Sequence, residues 1–72
     1  MTVDPSATIA RTAVVHPDAV IGAGTRIGEY CVIESDVVIG RDCLLEPYVY
    51  VKRWTTLGDR NEISAHTVLG TD

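Results

Sequence analysis

At 72 residues, 46% of them apolar, the chain has room for one small domain. So short a chain needs a partner or a very regular architecture to bury enough surface. A net charge of −4 carried by singly scattered acids and bases offers no basic stripe for a phosphate backbone, and no stretch approaches the ~20 apolar residues of a membrane span. The opening MTVDPSAT has neither the basic head nor the apolar core of a signal peptide, so the expectation is a cytoplasmic domain that binds neither nucleic acid nor membrane.

Short elements recur along the chain with a period of six. From Val3 the register runs through Ile9, Val15, Ile21, Ile27, Ile33, Ile39, Leu45, Val51, Leu57 and Ile63 to Leu69, and every member is a branched aliphatic. With so few Val, Ile and Leu in the chain, filling this register by chance has odds on the order of one in a million. Two residues before each aliphatic stand Ala7, Ala13, Ala19, Thr25, Cys31, Val37, Cys43, Val49, Thr55, Asn61 and Thr67, none long or charged. A strand alternates faces with period two, so these small residues also point inward.

Immediately after the aliphatic come Gly22, Gly28, Gly40, Gly58 and Gly70, and Pro5, Pro17 and Pro47 take the next place. Proline lacks the N–H a ladder needs and glycine tolerates tight backbone, so each hexad is a short strand followed by a corner. Strands this short keep one inward register only by winding as a coil whose turns stack in parallel. Three hexads per turn make a triangular prism, and twelve make about four coils spanning residues 1–72 as one all-β, single-stranded domain.

This pattern is similar to the hexapeptide-repeat acyltransferases, and the resemblance implies a left-handed parallel β-helix assembled as a homotrimer. Within that family, DPSATIARTAVVHPDAVIG, IGEYCVIESDVVIG and TTLGDRNEISAHTVLGTD resemble, in this order, the start of the UDP-N-acetylglucosamine O-acyltransferases of lipid A synthesis. The implied activity is transfer of a 3-hydroxyacyl group from acyl carrier protein to the sugar 3-hydroxyl. In those enzymes later coils carry the histidine base and a helical domain follows. No catalytic or substrate-binding residue of the family falls on a position of this chain, which is expected to be inactive alone. The alternative is a self-associating β-helix scaffold without catalysis.

Residues that could carry chemistry have plainer uses. His66 suits a general base, yet it stands at a corner one residue before the inward Thr67 and is expected to be solvated. Tyr30, Tyr48 and His66 share a column at the 18-residue coil repeat and should stack as rings; a platform for a nucleotide base or a partner is the functional alternative. His16, before Pro17, belongs to a turn. Cys31 and Cys43 occupy inward small places as free thiols. No metal-ligand spacing is present, and no cofactor is implied. The glycines from Gly22 to Gly28 follow from the hexad, because the Lys-Ser/Thr of a phosphate loop is missing. Asp42 with Arg60, and Glu34 with Lys52, should lie side by side on adjacent coils.

The residues just before the register face outward. They sort into Thr2, Val20, Val38, Thr56 on the first prism face, Thr8, Arg26, Leu44, Glu62 on the second, and Val14, Val32, Tyr50, Val68 on the third. Only the third is apolar throughout, so Val14, Val32, Tyr50 and Val68 are the expected trimer interface. Burying them contributes ~6 kcal/mol per chain against association costs of ~4–15 kcal/mol, a concentration-dependent assembly. Open coil ends, with their unpaired backbone groups, are able to template end-to-end stacking.

Overall fold

The computed structural model describes residues 2–70; Met1, Thr71 and Asp72, at the limits of the expected domain, lie outside the described residues. Twelve two-residue strands recur every six residues: β1 Thr2–Val3, β2 Thr8–Ile9, β3 Val14–Val15, β4 Val20–Ile21, β5 Arg26–Ile27, β6 Val32–Ile33, β7 Val38–Ile39, β8 Leu44–Leu45, β9 Tyr50–Val51, β10 Thr56–Leu57, β11 Glu62–Ile63 and β12 Val68–Leu69. They form three four-stranded parallel sheets, β1-β4-β7-β10, β2-β5-β8-β11 and β3-β6-β9-β12. Each residue pairs with the one eighteen positions later, as Val20 with Val38 and Val32 with Tyr50. This is a parallel β-helix of about four turns, consistent with the left-handed coil of hexapeptide repeats, and its three faces carry the three expected outward sets.

The interior follows the register. Ile21, Ile27, Ile33, Ile39, Leu45 and Val51 are buried in one column, together with Ala19, Thr25, Cys31, Val37, Cys43 and Val49 from the small places. Val3, Ile9, Val15, Leu57, Ile63 and Leu69 pack against that core only half-buried. They belong to the outer coils, where one axial neighbour is missing and the same residue type covers less apolar surface.

Backbone hydrogen bonds run both ways along the axis. Strand amides donate to the following coil, as Val20 N to Val37 O at 2.8 Å. Corner amides donate to the preceding one, as Asp42 N to Ala23 O at 2.8 Å and Tyr48 N to Glu29 O at 2.9 Å. The backward bond is made by the amides of Asp42, Tyr48, Trp54 and Arg60, while the Tyr30 amide donates to Thr12 Oγ1 at 2.9 Å; these five, with Asp36 and His66, have a left-handed backbone with φ between 54° and 66°. In the first coil the corners instead close on themselves, Ala7 N to Asp4 O at 2.9 Å and Ala19 N to His16 O at 2.9 Å.

Among the hexad glycines Gly70 has a positive φ of 95°, while Gly22, Gly28 and Gly40 answer to packing. A Cβ at Gly22 would stand 2.6 Å from the Gly40 carbonyl carbon, and one at Gly40 would stand 2.8 Å from that of Gly58. Close approach of successive coils, not a special φ, excludes a side chain there.

Three buried polar or thiol places share one recurring bond. Thr25 Oγ1 donates to Gly40 O at 2.7 Å, Cys31 Sγ to Glu46 O at 3.1 Å and Cys43 Sγ to Gly58 O at 3.1 Å. Each ties a buried small side chain to a corner carbonyl of the next coil. Among the described residues no buried side-chain nitrogen or oxygen lacks a partner.

Candidate functional site

Three corners join the three faces, and they differ in chemistry. The corner between the first and second faces stacks Gly22, Gly40 and Gly58 beside Asp4, Arg41, Asp42, Asp59 and Arg60, with no aromatic residue. The corner between the second and third faces carries Tyr30, Tyr48 and His66. The one between the third and first carries His16, Glu34, Lys52, Arg53 and Trp54. With Tyr50 on the third face itself, all three tyrosines and the one tryptophan lie on that face or its two borders.

On the second border the rings stack as their column requires. Tyr30 and Tyr48 are 5.3 Å apart with planes 11° from parallel, and Tyr48 and His66 are 5.1 Å apart at 3°. The step between coils sets this spacing, so each ring covers the next and leaves its edge in solvent. His66 is thereby held flat against Tyr48 and exposed at its corner.

On the third border Trp54 is 71% exposed, and the Arg53 guanidinium stands 5.0 Å from its ring. Glu34 accepts a hydrogen bond from the Tyr50 hydroxyl at Oε2 and one from the Arg53 amide at Oε1, 2.9 Å. Those two bonds, with Lys52 and Arg53 close by, hold its carboxyl below the ordinary glutamate range. The expected juxtaposition of Glu34 and Lys52 is present in this form. His16 Nδ1 accepts the Asp18 amide at 3.0 Å, with the Asp18 carboxylate 3.8 Å from the same nitrogen.

The third face is exposed at its ends, Val14 at 62% and Val68 at 59%, with Val32 and Tyr50 half-buried between them. An open groove of about 540 Å³ runs from this face onto the tryptophan-bearing corner, lined among others by Val14, Val32, Pro17, His16, Glu34 and Arg53. The first face contributes two further exposed valines, Val20 and Val38, next to this corner.

One expected charge pair is displaced. Asp42 and Arg60 lie on adjacent coils, but both sit at left-handed corner positions, and the ion pair forms one residue earlier, between Arg41 Nε and Asp59 Oδ2 at 3.7 Å. The Arg41 amide also donates to Asp59 Oδ1 at 3.0 Å. Cys31 and Cys43 are buried free thiols, as expected. No group of histidine, cysteine or acidic residues among the described residues is arranged to hold a metal ion, and none of their helices is long and apolar enough to cross a membrane.

Sequence reasoning picked out the ring column and the apolar face but missed the groove and the Glu34 bonds. A signal for the latter exists in hindsight: Tyr50 and Arg53 stand sixteen and nineteen residues after Glu34, either side of the coil repeat. The family described as bacterial transferase hexapeptide (six repeats) matches residues 36–71, half of the chain, in phase with these coils. The chain belongs to the bacterial transferase hexapeptide family.

Proposed function

We propose that this chain is the N-terminal β-helix portion of a cytoplasmic UDP-N-acetylglucosamine 3-O-acyltransferase, one domain over residues 1–72 that assembles as a homotrimer through its third face. The family match supports the transferase ancestry. The order of the three segments that resemble the lipid A enzymes supports acyl carrier protein and UDP-N-acetylglucosamine as the parent's substrates. The observation that carries the assembly is one-sidedness: every tyrosine and the tryptophan lie on the wholly apolar face or at its two borders. Apolar and aromatic side chains gathered on one side of a molecule are the composition of a protein interface. Closed cyclic symmetry is the usual way for identical chains to bury one, and open coil ends add end-to-end stacking at high concentration.

The 72-residue chain is itself a scaffold in this reading, without turnover. Two observations favour that: His66 lies flat on Tyr48, and His16 Nδ1 is engaged by the Asp18 amide. A positioned base contributes about 10²–10⁴ in rate, so chain given 3-hydroxyacyl carrier protein and UDP-N-acetylglucosamine should show no transfer above background. Turnover abolished by His66→Ala would reverse this assignment. For the assembly, Val32→Lys places a charge in mid-stripe without touching the interior column. Sedimentation should change from trimer to monomer; an unchanged trimer means another face is used.

A further inference from the structure

A closed trimer cannot set one patch against itself: a threefold interface is heterologous, so two different surfaces of the chain must meet. The third face has two unlike borders. One is convex, the ring column of Tyr30, Tyr48 and His66, with both tyrosines half exposed. The other is concave, the open groove of about 540 Å³ lined among others by Val14, Pro17, Val32, Ser35 and Arg53. Three flat faces turned toward a common axis leave a three-sided hollow between them. Seating the ring corner of one copy on the third face of the next covers the apolar stripe and fills the concavity with aromatic side chains.

Height along the prism selects the contacts. The stripe is buried over its whole length only when the prisms lie parallel to the symmetry axis, and closure then allows no displacement along it. Each corner therefore meets its neighbour at its own level. Residues six apart in sequence differ by a third of a coil, about 1.6 Å at the usual strand spacing. Tyr30 is thus level with the groove, between Val14 and Pro17 of the first coil and Val32 and Ser35 of the second. Charges at matching levels are opposite in the first coil, Arg11 against Asp18, and in the third, Glu46 against Lys52 and Arg53. In the second coil Glu29 comes level with Glu34 and Asp36. There the Thr12 hydroxyl donates to Glu29 and draws its carboxylate back toward the first coil, while Glu34 is engaged by the Tyr50 hydroxyl and the Arg53 amide.

Resting on the assembly reading, we propose that the ring corner of each copy docks into the groove of the next, with Tyr30 laid over Val14 and Val32 and Tyr48 brought to Arg53. The test is a disulfide across that junction. Glu29→Cys in the ring corner and Ser35→Cys in the groove stand a full prism face apart within one chain, beyond the ~7 Å between Cα atoms that a disulfide spans. Between copies they come level. Under mild oxidation the double variant should run on a non-reducing denaturing gel mainly as a covalent trimer. Each single variant should run as monomer, like the wild type, whose Cys31 and Cys43 are buried. Pro47→Cys with Arg53→Cys repeats the measurement one coil further on, so that a trimer weakened by one pair of substitutions does not decide the matter. Sedimentation of the wild type separates the two readings. If it is a trimer and neither pair gives covalent trimer, or if Glu29→Cys links as well to Arg41→Cys in the glycine corner, the corner pairing is overturned and the assembly stands. Monomeric wild type overturns the assembly and the pairing with it.

Discussion

The glycine corner and the ring corner share one backbone and differ in everything built on it. Asp42 and Arg60 in the first, and Tyr48 and His66 in the second, all adopt the left-handed conformation. Asp42 and Tyr48 return their amides to the coil behind at 2.8 and 2.9 Å. Yet two residues earlier the glycine corner carries glycine in three successive coils, with no room for a Cβ at Gly22 or Gly40, while the ring corner has that close approach only at Gly28 and places Glu46 and Ser64 in the next two coils. The period dictates the path of the chain and leaves the side-chain chemistry of each corner free. A repeat fold can therefore reserve one edge for tight structural stacking and place its contact residues on the others.

The comparison is broken most directly at Gly40. Gly40→Ala drives a methyl against the Gly58 carbonyl, where backbone and not a flexible side chain must yield. We expect a loss of about 1–3 kcal/mol in urea unfolding. Gly58→Ala is the internal control, since its Cβ would meet only Asn61 Nδ2, at 3.9 Å, and its stability should stay within about 0.5 kcal/mol of wild type. Equal effects at the two positions would mean that coil approach does not explain the glycines.

In the ring corner the corresponding change is Tyr48→Ala, which removes both stacked pairs at once. The rings are half exposed, so the low end of ~0.5–1.5 kcal/mol per pair applies, about 1 kcal/mol in all. Alanine also keeps the burden of a left-handed backbone, which costs roughly 1–2 kcal/mol for residues with a Cβ. Tyr48→Gly relieves that burden and should recover much of the loss. If alanine and glycine destabilise equally, the φ of 66° is not a strained feature of the corner.

Smaller again is the effect of Asp59→Asn in the glycine corner. The Arg41–Asp59 pair is well exposed, which limits it to ~0–1 kcal/mol. The effect should shrink in 1 M salt, where screening reaches about 3 Å. The amide bond to Asp59 Oδ1 survives in asparagine, so a large or salt-independent loss would point to the backbone contact and not the charge.

How much of this was legible follows from what depends on the period alone. A strict six-residue register determines which residues are inward, which strand pairs with which, and which side chains share a face. Val14, Val32, Tyr50 and Val68 could therefore be grouped before any coordinates. The left-handed corners were not legible, because Tyr, Asp, Trp, Arg and His occupy them and, at that place in the hexad, only Gly24 advertises the conformation; at Asp42, Tyr48, Trp54 and Arg60 the amide bond to the coil behind, a tertiary contact, overrides the local preference. The same limit explains the displaced ion pair, since spacing shows that Asp42 and Arg60 are neighbours but not which way a left-handed residue aims its side chain. The inward Thr25, Cys31 and Cys43 read as small fillers, and their shared bond to the next coil's carbonyl needs that carbonyl's direction to be seen. The groove depends on side-chain reach at one corner, about which the hexad says nothing.

The smallest effect separates two carboxylates, one in the glycine corner and one in the tryptophan-bearing corner. Asp4, in the glycine corner, accepts the Ser6 amide at 2.9 Å and the Ser6 hydroxyl at 2.7 Å, and these bonds hold its carboxyl below the ordinary aspartate range. Glu34, beside the third face, is lowered first by the Tyr50 hydroxyl and then by the Arg53 amide. A carboxyl whose folded value is depressed contributes stability that is present above its unfolded value and is lost as pH falls through the folded one. Both therefore act in the acid range, and neither alters stability between neutral pH and the ordinary carboxylate range. They differ in the reach of their bonds. The partner of Asp4 is two residues away, and an unfolded chain still samples that turn, which narrows the gap between the two states. The partners of Glu34 lie a full coil away and vanish on unfolding. Glu34→Gln should therefore flatten the acid limb of the stability curve more than Asp4→Asn does, with the two variants converging on wild type below the folded values. Carboxyl titration by NMR in the folded chain, set beside urea unfolding at several acid pH values, measures both halves of the argument. An acid limb as steep in Glu34→Gln as in the wild type would show that the bonds to Tyr50 and Arg53 do not hold one coil to the next.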